Sequence, residues 1–176
     1  MEDNTLIVKD DRGNELLEII RVAEEEADTK YQPINHCLAV VKVGSDYLLG
    51  WNKYRQDWEI FGGCREKNET LIDCIKRECK EELGLKNIDY SYIGLMYYHM
   101  APGYFHPEWH DEYGALYGIS LPIDYMEYIN KYRTDKEEIE KLAFYRDLKG
   151  KEKIAKIDEK LLEYWNYSNF NIDEMY

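Results

Sequence analysis

Long apolar runs are missing from this chain. No stretch approaches the roughly 18 residues a helix needs to cross a bilayer, and the opening MEDNTLIVKDD is acidic where an export signal would be basic and then apolar. No membrane partner and a cytoplasmic location are therefore expected. Cysteine is scarce: Cys37, Cys64, Cys74 and Cys79 lack the spacing of a disulfide framework and are expected to be reduced thiols. Basic charge is also short, with 23 Lys and Arg against 36 Asp and Glu and a net charge of −13. A phosphate backbone needs a basic footprint, so nucleic acid is excluded as a bulk partner. Small anions can still bind where divalent cations and a few Lys or Arg reverse the sign in one cleft. Repeats, low-complexity tracts and Gly/Ser linkers are absent as well, so the 176 residues, 44% of them hydrophobic, read as one domain spanning 1–176.

What is present begins with turn punctuation between short apolar runs. Leu6–Lys9 and Leu16–Val22 flank a hairpin turn at Asp10–Asn14, and His36–Val43 and Tyr47–Trp51 flank another at Gly44–Asp46. Ala23–Lys30 reads as a solvated connection, or as a helix continuing from 16–22. Trp58–Phe61 is a short strand running into Gly62-Gly63, and Tyr90–His99 and Tyr113–Leu121 are longer ones. Asp124–Arg133 suggests a short helix, Leu142–Tyr145 a last strand and Ile154–Tyr164 a C-terminal helix. Strands before and after one central helix, with another helix late, predict a mixed sheet between helices.

That central helix carries the strongest signal. Thr70 with Asp73 three residues on forms a capping pattern, and Gly84 is a natural stop. Leu71, Ile75 and Cys79 make an apolar stripe, widened by Ile72 and Leu83. Glu78, Glu81 and Glu82 crowd an adjoining arc of about 100°, which is expected to be polar, exposed and turned into a cleft. Like charges at these spacings repel by a few tenths of a kcal/mol per pair, so a cation is expected among them. Hard carboxylate oxygens at i, i+3 and i+4 suit Mg²⁺ or Mn²⁺.

Written out, the segment is Gly63, five residues, Glu69, seven residues, then Arg77-Glu78-Cys79-Lys80-Glu81-Glu82-Leu83-Gly84-Leu85. It resembles the signature of the Nudix hydrolases, the MutT-like superfamily, and matches all seven of its fixed letters. Phe61 stands where many members have Pro, Asn68 where Gly is frequent, and Cys79 in an aliphatic slot; none of these removes a carboxylate. The resemblance covers about residues 5–146, with 147–176 as a C-terminal helical extension. It implies an α/β (α+β) fold, an α/β/α sandwich around a mixed β-sheet. It further implies a pyrophosphohydrolase, acting on a small-molecule nucleoside diphosphate derivative with Mg²⁺ or Mn²⁺ as cofactor. Glu78 and Glu82 would be the main metal ligands, Glu81 would share ions, and a carbonyl of Gly62 or Gly63 would complete the shell. Arg77 would pair with Glu69, counted with the metal-site residues, and hold the ligating carboxylates in place. The general base would be a box Glu or a downstream one, for which Glu138 and then Glu137 stand in place, ahead of Glu108 and Glu112. Some relatives build their pocket across a homodimer, and others keep the fold as a non-catalytic nucleotide-binding module.

Outside the motif, the loop HMAPGYFHPEWHDEYG offers Tyr104, Phe105 and Trp109 for stacking on a base, with His99, His106 and His110 as phosphate contacts. Its Pro-Gly-aromatic portion faintly resembles a loop of ADP-ribose pyrophosphatases. His106, His110 and Asp111 lack a third suitably spaced soft ligand for zinc. Lys42, Lys53 and Arg55 are the candidate phosphate contacts. A nucleotide sugar or ADP-ribose is expected as substrate, then a nucleoside triphosphate.

Overall fold

A computed structural model describes residues 6–166, so the last ten residues of the expected C-terminal extension lie outside the described residues. The strands are β1 (Val8–Lys9), β2 (Glu15–Ile20), β3 (Ile34–Val43), β4 (Asp46–Asn52), β5 (Asp57–Glu59), β6 (Phe61–Cys64), β7 (Ser91–Met100), β8 (His110–Leu121) and β9 (Ile139–Phe144). The helices are α1 (Glu24–Lys30), α2 (Leu71–Leu83), α3 (Tyr125–Tyr132), α4 (Tyr145–Leu148) and α5 (Lys156–Leu161). The main path of the sheet runs β1-β2-β7-β8-β3-β4-β5, with β6 added to β3 and β9 to β4. Only the β3–β8 pair is parallel among the described strands, so the sheet is mixed.

Strand β3 lies at the centre because its sequence, INHCLAVVKV, can be covered on both faces; its last five positions are all buried. One apolar layer joins Ala39, Val41 and Phe61 to Leu71, Ile75, Cys79 and Leu83 of α2. The opposite layer joins Val40, Leu49 and Trp58 to Ile157, Leu161, Leu162 and Trp165 at the C-terminal end. Helices therefore flank the sheet on both sides, as the α/β/α reading requires. Each Leu or Ile of α2 buried in this way contributes about 1.5–3 kcal/mol. Among the described residues, no helix is long and apolar enough to cross a membrane.

Several boundaries differ from the sequence expectation. Glu24–Lys30 is a helix of its own, stabilised by burial of Ala27 and by a Lys30–Glu26 ion pair one turn apart. Strand β8 starts at His110, because Asp111 accepts a hydrogen bond from Tyr97 and pairs with His99 across the ladder. Strand β9 starts at Ile139, which is buried and opposite Asn52. The C-terminal helix starts two residues later than expected, at Lys156. Before it, the chain lies beside β5: Trp58 N–H donates to the Lys153 carbonyl and Ala155 N–H to that of Trp58, both at 2.9 Å.

Candidate active site

The glycine pair forms the middle of β6. Gly62 lies opposite Leu38 of β3 with φ of 135°, and a Cβ there would fall 2.0 Å from the Cys37 carbonyl oxygen. Only glycine fits such an approach. Gly63 has an ordinary backbone, but a Cβ on it would lie 2.6 Å from Glu78 Oε1. The missing side chain is the space a carboxylate uses.

Helix α2 starts where expected, with Thr70 Oγ1 accepting the Asp73 N–H at 3.2 Å, and stops at Gly84 in the left-handed region. Asn68 also takes a positive φ, 65°, as its ability to substitute for glycine suggested. Arg77 is the hub of the acid face. Its Nε and Nη2 donate to the two oxygens of Glu69 at 2.8 and 3.1 Å, Nη1 to Glu78 Oε1 at 2.8 Å, and Nη2 to the Cys64 carbonyl at 2.9 Å. These bonds hold the Glu69 carboxyl down at about 2 and fix Glu78 against Gly63.

The acid arc is not uniformly open. Glu81 is half exposed, but Glu82 is only 3% exposed, its Oε2 accepting the Gly62 N–H at 2.9 Å. The helix turns that position toward β6, and the sequence reading of an exposed Glu82 is corrected accordingly. Burial pushes the Glu82 carboxyl well above its ordinary range, and the charges of Glu78, Glu138 and Asp135 push it further. Glu78 is also raised by burial, with Glu81 and Glu138 adding to the shift and Arg77 opposing it. Negative charge is thus in surplus here.

The downstream acid comes into reach through a backbone clasp. The Glu81 carbonyl accepts the Thr134 and Asp135 N–H groups at 3.0 and 2.8 Å, tying the segment before β9 to α2. Asp135 Oδ1 then accepts the Glu138 N–H at 3.1 Å. Glu138 accepts from Asn52 Nδ2 at 3.2 Å and faces Arg55 Nη2 at 3.6 Å. The Glu137 N–H donates to Asp135 Oδ1 at 3.2 Å, and the residue is exposed.

Beside the glycines opens a cavity of about 630 Å³, with Gly62, Gly63, Tyr98, Arg55, Asp57 and Asp158 in its wall. Phe105 and His106 also line it. Tyr104, Trp109, Lys42 and Lys53 lie outside that wall; Trp109 stacks on His99 at 4.8 Å, and the Lys42 ammonium sits 4.9 Å over the Tyr47 ring. Arg55 reaches the cavity already engaged, as a two-bond partner of Glu59 at 2.5 and 2.8 Å. Glu112, in the same wall, accepts from Asn35, while Glu108 is exposed on the loop.

Sequence reading missed the acids of this wall. Burial raises Asp57 to about 7, helped by a hydrogen bond and charge from Glu59; burial and the Glu59 charge raise Asp158 to about 8. Asp158 Oδ2 accepts the Ile60 N–H at 2.9 Å. Asp158 lies in the expected helix and Asp57 at a strand start, and no local pattern distinguishes either from a surface acid.

The described residues match the NUDIX domain family model over positions 35–165. The chain belongs to the Nudix hydrolase superfamily. Among solved structures, the Bacillus subtilis pyrophosphohydrolase BsRppH is 18% identical with a TM-score of 0.59, covering 85% of each chain. The MutT Nudix hydrolase from Burkholderia pseudomallei is 17% identical with a TM-score of 0.55, covering 77% of this chain and all of that one. A MutT/Nudix protein from Enterococcus faecalis is 15% identical with a TM-score of 0.53, covering 77% of this chain and 61% of that one. At these identities the likeness is one of fold. No curated protein matches the chain in sequence. The Nudix match also takes in part of the C-terminal extension that the resemblance had left outside its core.

Among the described residues, no three His, Cys, Asp or Glu side chains stand together as a ready-made metal cluster. The box nonetheless fits a divalent cation. Its donors are hard oxygens, Gly63 leaves room for the Glu78 carboxylate, and Glu82 is buried beside like charges.

Proposed function

We propose that this Nudix hydrolase uses Mg²⁺ or Mn²⁺ to cleave the diphosphate linkage of a nucleoside diphosphate joined to another group. A nucleotide sugar or ADP-ribose is favoured over a nucleoside triphosphate. The observation that carries this reading is the buried Glu82 next to Glu78, with more negative charge than Arg77 neutralises.

Glu78 and Glu82 would hold the cation, Glu81 would share in it, and a carbonyl of Gly62 or Gly63 would complete the site. When bound, the cation neutralises charge on the phosphates and makes water more acidic. Arg77, clamped by Glu69, keeps Glu78 in its place against Gly63. Glu138, close enough for its charge to be felt at both Glu78 and Glu82, takes the proton of the attacking water. Water then adds to one phosphorus as the bridging oxygen leaves, giving two phosphate-ended products. The neighbouring cavity holds the part of the substrate that does not react, with Phe105 and His106 at its loop side.

The test is a panel of nucleotide sugars, dinucleotides and nucleoside triphosphates, each assayed with Mg²⁺ and with Mn²⁺. Nucleoside monophosphate plus sugar phosphate supports the favoured substrate; nucleoside monophosphate plus pyrophosphate moves the assignment to triphosphates. Binding of these ligands without any turnover would make the protein a nucleotide-binding module instead. Activity surviving full chelation would refute the metal-dependent mechanism.

A further inference from the structure

The end of β4 contains a buried amide whose hydrogen-bonding capacity is fully used. Asn52 is 0% exposed. Its Oδ1 accepts the N–H groups of Tyr54 and Arg55, both at 3.0 Å, and its Nδ2 donates to Glu59 Oε2 at 3.3 Å and to Glu138 Oε1 at 3.2 Å. An amide has two donor hydrogens and two acceptor lone pairs, so all four are engaged. The orientation is determined by chemistry: turned over, the amide would set its oxygen against two carboxylates and its hydrogens against two N–H groups.

The turn that Asn52 organises delivers Arg55, and Arg55 spends its guanidinium on Glu59 while standing 3.6 Å from Glu138 Oε1. The backbone reinforces the link, since Lys53 N–H donates to the Glu138 carbonyl at 2.9 Å. Glu138 is consequently held from one side by a neutral donor and a cation, both aimed at Oε1. Its side chain remains 46% exposed. A long surface glutamate with that exposure would ordinarily sample several rotamers, and ordering one costs side-chain entropy. Here a buried neighbour in the sheet supplies the ordering contact before any substrate arrives.

We propose that Asn52, backed by Arg55, is the positioning residue for the general base, holding Glu138 by Oε1 so that Oε2 takes the proton of the attacking water. This rests on the reading of Glu138 as that base. Asn52 does not touch the reacting atoms; it acts through the carboxylate it holds. Loss of its amide releases Glu138 into a spread of rotamers, and a displacement of about 1 Å in a reacting group costs on the order of 100-fold in rate.

A double-mutant cycle tests this, using the metal-loaded enzyme and whichever substrate of the panel above is turned over. Glu138→Gln is expected to lower kcat by about 100-fold or more, the range of general-base catalysis. Asn52→Ala is expected to lower kcat by about 10- to 100-fold with KM changed less than about twofold. In the Glu138→Gln background, Asn52→Ala is expected to cost little further, because the group it positions is already disabled. If Glu138→Gln stays within about threefold of the parent, the base is elsewhere and the reading beneath this proposal fails. If Glu138→Gln is costly but Asn52→Ala costs the same factor in both backgrounds, Asn52 only supports its turn and the positioning role is overturned. A second measurement needs neither activity nor metal nor a folded Asn52 variant. In metal-free protein, the side-chain amide signals of Asn52 are followed by NMR as Glu138 is changed to Gln. A shift in one of the two hydrogens, slowed in exchange before the change, supports the contact; an unmoved pair refutes it.

Discussion

Two adjacent glycines should respond to the same substitution in opposite ways. At Gly63, an alanine Cβ falls 2.6 Å from Glu78 Oε1, 2.7 Å from its Cδ and 2.9 Å from Oε2, and the backbone needs no positive φ. What it meets is the end of a flexible side chain, so the fold yields cheaply and the carboxylate retreats by about 0.8 Å, to an ordinary contact distance. Arg77 is bonded to that carboxylate at 2.8 Å, so the pair is strained or parts. Displacing a reacting or ligating group by about 1 Å costs on the order of 100-fold, and stability should change by no more than about 1 kcal/mol. At Gly62 the Cβ falls 2.0 Å from the Cys37 carbonyl oxygen and 2.8 Å from Leu38 Cα, both backbone of the central strand, at a φ of 135°. That substitution forces β6 off β3, at a cost of several kcal/mol. The assay is paired: thermal unfolding, and kcat with Mn²⁺ affinity measured by electron paramagnetic resonance. Gly63→Ala should unfold within a few degrees of the parent with turnover and Mn²⁺ affinity reduced, whereas Gly62→Ala should unfold far earlier or not accumulate. A Gly63→Ala protein with undiminished turnover and Mn²⁺ affinity would refute the placement of Glu78 as a ligand.

Glu82→Gln should abolish most turnover yet raise the melting temperature of the metal-free protein by a few degrees, roughly 1 kcal/mol for a chain of this length. The folded-state pKa of Glu82 is raised above the ordinary 4.5, so its ionised form costs stability as pH rises through the folded pKa, and a neutral Gln removes that cost. The gain should vanish near pH 4; a destabilised variant at neutral pH would contradict the burial argument. Arg77→Gln should behave in the opposite sense through Glu69, whose folded-state pKa is lowered from 4.5 to about 2. The stability this pair contributes is present above the ordinary carboxyl value and is lost as pH falls toward 2. The difference in melting temperature between parent and variant should therefore shrink across that window, and a difference independent of pH would show that Arg77 acts by packing alone. Thr70→Ala removes the cap on the Asp73 N–H and should cost about 1 kcal/mol, read as a lower urea midpoint, with little change in KM.

The α2 segment was readable because its chemistry is local. A capping threonine, an apolar stripe and a terminal glycine act within a few turns of one helix, and all three appear where their spacing places them. The β1–β2 and β3–β4 hairpins were legible for the same reason, since turn residues act on their own neighbours. Polar strand ends were not. His110–Glu112 join β8 only because Met100, His99 and Tyr98 lie opposite, and that pairing spans a loop. Tyr104, Phe105 and Trp109 were read as stacking groups, but of these Phe105 reaches the cavity, beside His106, while Trp109 turns onto His99.

By itself the sequence determined the spacing of the box, hence the family, and the helix that carries three acids on one arc. It could not determine which of those acids is buried, because exposure depends on what packs against the helix. Gly62, which donates its N–H to Glu82, and Glu138, drawn in by the Glu81 carbonyl, come from elements 20 and 53 or more residues away along the chain. Nor could it pair Asn52 with Glu138, 86 residues apart, since β4 and β9 become neighbours only when the sheet closes. Hydrogen bonds and burial are properties of groups brought within a few ångströms, and tertiary structure alone supplies those distances.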